Sequence, residues 1–140
     1  MHRLLVALAG LATGLAAAPA WAGCGDALPA AHRLLAAADG LQIAFAPRPA
    51  PLQAGRAFAL DIVLCPAPGQ PLPAGLVVDA DMPAHRHGMN YRASVTPLAD
   101  GGFRAEGLLF HMAGRWRFIF DWPATAGAPA GRATHEVDLR

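Results

Sequence analysis

An all-β fold of about seven strands, arranged as a sandwich or a barrel, is what this sequence predicts, and three observations carry it. From Leu41 onward, apolar residues recur with a period of two. The alternating runs are short, and connectors rich in Pro and Gly separate them. Many short strands between such turns fit packed antiparallel sheets rather than a parallel sheet with crossover helices. The 140 residues suffice for one domain and not for two.

Residues 1–22 read as a signal peptide. His2 and Arg3 form a short basic start, an apolar run follows from Leu4 to Ala18, and Pro19 breaks it before Ala20-Trp21-Ala22. The run is shorter than the roughly 20 apolar residues of a bilayer span. Export to the periplasm or the medium is therefore expected, with no span in the mature chain. Trp21-Ala22-Gly23-Cys24 also looks like a lipoprotein processing box, in which Cys24 would carry a lipid anchor. In an oxidising compartment the pair Cys24 and Cys65 is otherwise expected to form a disulfide.

Residues 23–40 form an N-terminal segment. Pro29 near its start and Asp39-Gly40 at its end are helix boundary signals, so a short helix is expected over Leu28 to Ala38. The strand candidates lie in residues 41–140. They run over Leu41–Phe45, Phe58–Leu64, Leu76–Ala80, Tyr91–Val95, Phe103–Phe110, Trp116–Phe120 and Thr134–Leu139. Asp100-Gly101 between two of them is a hairpin signal.

Charge excludes several partners. The chain has eleven Arg, no Lys and ten acidic residues. Arg3 lies in the leader, so the mature part is near neutral. No basic stripe points to nucleic acid, and no polybasic tract points to anionic lipid.

The chemistry-bearing residues lie in two stretches, Met82-Pro83-Ala84-His85-Arg86-His87-Gly88-Met89-Asn90-Tyr91 and Phe110-His111-Met112-Ala113-Gly114-Arg115-Trp116. They hold three of the six histidines and every methionine except the first. If the first stretch is extended, His85, His87 and Met89 project to one side. His111 and Met112 end a later strand, and the loops at one end of a sandwich gather together. The candidate metal ligands are therefore His85, His87, Met89, His111 and Met112. Thioethers are soft and favour Cu(I), and imidazole also accommodates Cu(II). No carboxylate sits within the cluster, which disfavours calcium or magnesium. Asp79 and Asp81 read as supporting or surface groups, Met82 as packing, Trp116 and Trp122 as core aromatics, and His32 and His135 as surface residues.

These motifs resemble the YtkA-like domain family of small exported bacterial proteins. The marks are Met82-Pro83 with His85 and His87, and the later Met112-Ala113-Gly114-Arg115-Trp116. The likeness covers about Leu41 to Leu139. It implies an immunoglobulin-like sandwich and a role in copper or respiratory-oxidase metal handling, with a periplasmic or membrane-protein acceptor as partner. The layout is also similar to that of periplasmic copper chaperones that draw His and Met from two loops. A copper chaperone or buffer without catalytic activity is the leading expectation. One alternative is an interaction module for a membrane or periplasmic complex that binds no metal. Another is a cupin-like metalloenzyme, although the Glu that usually follows HxH is missing from Gly88 to Ala93.

Overall fold

The structure is a computed structural model, and it describes residues 21–140. The expected leader, residues 1–22, lies almost wholly outside that range. Two antiparallel sheets make up the fold. The first contains β1 (Leu34–Ala38), β2 (Leu41–Arg48), β3 (Ala57–Pro66), β6 (Ser94–Pro97) and β7 (Phe103–Leu109), in the order β1-β2-β3-β7-β6. The second contains β4 (Val77–Met82), β5 (His87–Gly88), β8 (Gly114–Trp122) and β9 (Gly131–Leu139), in the order β5-β4-β8-β9. The seven expected strands are all present. Two short ones join them, and the Tyr91–Val95 candidate begins later, at Ser94.

The helix expected over Leu28 to Ala38 is not formed. A single 3-10 turn at Ala30–His32 is followed directly by β1. Asp39 and Gly40 sit at φ 50° and 75° and join β1 to β2, with Ala38 opposite Leu41. Positive φ at both central residues is the mark of a type I′ turn, whose twist matches that of the strands it joins. The Asp-Gly pair is thus a hairpin turn and not a helix stop. Ladder bonds to β2 and burial of Ala36 outweigh the helix propensity of Leu and Ala, which is the highest among the standard residues.

The core lies between the sheets, where the inward faces alternate as the period predicts. Phe45 meets Phe118 edge-on at 5.3 Å and Phe120 at 4.8 Å, and Phe58 meets Phe110 at 4.9 Å. Burying side chains of this size contributes about 1.5–3 kcal/mol each. One irregularity decides what reaches the site. Phe58 pairs with Leu108 and Leu60 with Ala105, so β7 holds one residue more than β3 over that interval. Gly107, at φ 81°, supplies the bulge. It moves the inward phase of β7 from Phe103 and Ala105 to Leu108 and Phe110. Phe110 therefore enters the core, and His111 is turned out at the end of the sandwich.

Cys24 and Cys65 form a disulfide, with 5.9 Å between their Cα atoms. Closing 41 residues of chain stabilises the fold by about 4 kcal/mol in the chain-entropy account. The Cys24 sulfur is committed to Cys65, so it is not free for the thioether that a lipid anchor needs.

Ion pairs stitch neighbouring strands on the outer faces. Arg117 holds Asp81 through two bonds of 2.9 and 2.7 Å. Arg48 and Arg104 both donate to Asp61. Partial burial would raise the pKa of Asp61, but the bonds from Arg104 and Arg48 outweigh it and hold the carboxyl below its ordinary value. His135 is not the surface residue expected. It is half-buried, its ring stands edge-on to Phe45 at 5.5 Å, and its Nδ1 lies 2.7 Å from the Leu35 carbonyl of β1. With the proton on Nδ1, the imidazole donates to that oxygen and ties the two sheets together along one margin. At the opposite margin β5 is only two residues long and covers only Asp81 and Met82 of β4. There the Asp79 carboxylate accepts the Ala80 N–H at 2.8 Å, and the Ala80 carbonyl accepts the Met89 N–H at 3.2 Å.

Candidate metal centre

The first stretch is not extended. Pro83 to Arg86 form a tight turn in which the His85 and Arg86 N–H groups both donate to the Met82 carbonyl, at 3.0 and 2.9 Å. Arg86, at φ 56°, reverses the chain into β5. His85 therefore rides on the hairpin tip, exposed, and does not share a strand face with His87 and Met89. His87 pairs with Met82 across the hairpin, and directly opposed residues lie on one face. Met82 is buried and packs as expected, so His87 faces the same interior side at the rim and is half-buried.

The second stretch links β7 to β8. His111 follows the inward Phe110, and Met112 packs against the core, partly buried. The two stretches do meet. The imidazoles of His85 and His87 lie 5.7 Å apart, and those of His87 and His111 lie 5.1 Å apart. His87 is the member common to both pairs. Gly114 lets the loops approach, since a Cβ there would lie 2.7 Å from the Met82 methyl, and its φ of 126° suits glycine.

Trp116 forms the wall behind the imidazoles. It is fully buried, and Phe110 stacks on it at 4.5 Å, nearly parallel. His111 and His87 stand across it at 5.3 and 6.1 Å, at steep angles. Its Nε1–H donates to the Met112 carbonyl at 3.0 Å and so holds the second loop. Sequence reasoning placed Trp116 in the core and missed this contact. The signal was its position five residues after His111 in a strand that starts at the turn.

Met89 is partly buried against the core, and its chain leads away into a surface cleft of about 340 Å³. That cleft is lined by Val77, Asp79, Asn90, Tyr91 and Arg92, among others. Asn90 and Tyr91 are thus set on the cleft. Asp81 is paired with Arg117, and Arg115 with Asp138 and Glu136, on the outer face of the second sheet.

The donor set can be tested against copper by spacing. With metal–nitrogen bonds of about 2.0–2.1 Å, two imidazoles sharing one ion have ring centres ~5.2–5.5 Å apart at trigonal or tetrahedral angles. The observed 5.7 and 5.1 Å bracket that range. Among the described residues, no three His, Cys, Asp or Glu side chains are arranged to hold a metal ion as they stand. The spacing is that of imidazole pairs centred on His87.

The sequence profile of a family described as YtkA-like matches residues 35–121. No curated protein sequence matches the chain. Among solved structures, FetP of uropathogenic Escherichia coli strain F11 matches with a TM-score of 0.48 at 8% identity, over 77% of this chain and 93% of that one.

Proposed function

The chain belongs to the YtkA-like family, and from that premise we propose that it is an exported copper-binding protein, a chaperone or buffer with no catalytic role. The observation that supports this is the run of three imidazoles at the mouth of the sandwich, 5.7 and 5.1 Å apart, beside methionine-bearing loops. His87 and His111 would hold the ion, His85 would reach it from the hairpin tip, and Met112 or Met89 would supply sulfur. Such donors suit Cu(I) and admit Cu(II) through nitrogen. The exposed His85 would let an acceptor in the periplasm or a membrane complex take the ion by ligand exchange.

The test is the copper content of the purified processed protein beside a His85→Ala/His87→Ala/His111→Ala variant. One equivalent in the unaltered protein and none in the variant is expected. Unchanged uptake in the variant would rule the site out.

A second reading, an interaction module without metal, has its own observation. Val77 and Tyr91 are 60% and 57% exposed beside the cleft that starts at Met89. Exposed apolar groups around a concavity are a common mark of docking. Failure of the unaltered protein to take up any copper would favour it.

A further inference from the structure

We infer that Trp116 is part of the metal site itself, and that its indole makes the site prefer a soft monovalent cation to a divalent one. The inference rests on the copper reading above and adds a residue and a selectivity to it. Three distances define the arrangement. The rings of His87, His111 and Trp116 form a triangle with sides of 5.1, 5.3 and 6.1 Å. The indole centre is therefore roughly 5 Å from the midpoint between the imidazoles, inside the ~6 Å over which a cation is attracted to an aromatic ring. An ion shared by His87 and His111 sits about 2 Å off that midpoint, and on the indole side of it the ion comes within reach of the ring.

The indole is anchored on both of its own accounts. Phe110 stacks on it, and its N–H is committed to the Met112 carbonyl. It cannot rotate away without exposing a core aromatic and releasing the loop that carries His111 and Met112. A fixed apolar wall gives no lone pair to a hard ion and no room for the waters that ion keeps. A soft, weakly hydrated ion held by two nitrogens and a sulfur loses nothing there and gains the attraction of the ring. Trp116 thus acts as a positioning residue through its N–H and as a contact through its ring.

The second tryptophan of the same strand is an internal control. Trp122 lies six residues on, about 20 Å along an extended strand. The experiment titrates the processed protein with Ag(I), a redox-inert stand-in for Cu(I), and with Zn(II). It follows the indole N–H resonances of both tryptophans. One equivalent of Ag(I) is expected to shift Trp116 and leave Trp122 in place. In Trp116→Phe the bond that holds the His111 loop is lost, so affinity for both ions is expected to fall, with Ag(I) falling at least fivefold more than Zn(II). A purely structural role would lower both alike, and that result overturns the inference. Ag(I) bound with Trp116 silent overturns it too, and leaves the copper reading standing. No Ag(I) or Cu(I) bound by the unaltered protein overturns both. The indole measurement needs no variant, so it decides even if Trp116→Phe does not fold.

Discussion

Trp116 and Trp122 stand on the same face of β8, and both are buried, yet their neighbours differ in kind. Trp122 lies on glycine: a Cβ at Gly131, its partner on β9, would come within 2.2 Å of the indole. Its surroundings are shaped to fill space. Trp116 is ringed by a stacked Phe, two imidazoles and a carbonyl that accepts its N–H. One strand therefore ends in plain packing on one side and in a set of donors on the other. The contrast shows that two buried aromatics on one strand can differ sharply in the polarity of what touches them.

Three changes would break or sharpen that contrast. Trp116→Ala has the largest effect. Loss of the indole leaves a cavity under both loops, and a fall of about 3–5 kcal/mol in unfolding free energy is expected by urea titration, together with loss of copper uptake. Gly131→Ala strikes the other end. The added methyl must displace a buried ring, at a cost of about 1–3 kcal/mol, and copper stoichiometry by metal analysis should stay the same. If uptake falls with Gly131→Ala, the two ends are not independent. His85→Ala is the mildest. The side chain is exposed on a turn, so stability should stay within about 0.5 kcal/mol. Copper affinity should drop about tenfold at unchanged stoichiometry, measured by competition with a Cu(I) chelator, because the His87–His111 pair remains.

Much of the fold was legible because alternation is a local signal. Phe58 to Leu64 and Trp116 to Phe120 show their inward faces directly in the sequence, and the disulfide followed from compartment and count. Reading failed where meaning depends on a distant strand. Asp39-Gly40 serves a helix end or a hairpin equally well, and only pairing with β2 decides. The bulge at Gly107 is invisible without the register of β3, yet it determines that Phe110 points in and His111 out. For the site, the convergence of His87 and His111 was anticipated from two loops at one end of a sandwich. The extended geometry assumed for His85 was not found, because Pro83 and the positive φ of Arg86 turn the chain there. The inward bond of His135 could not be read either, since its acceptor lies 100 residues away in β1.

The short β5 leaves most of β4 without a neighbour on one side, and such a margin normally invites another chain to add itself there. A newcomer at Ala80 would find the amide hydrogen already claimed by Asp79, and would have to strip water from that carboxylate to reach it. One acidic side chain thus makes this margin of the second sheet a poorer template for an added strand.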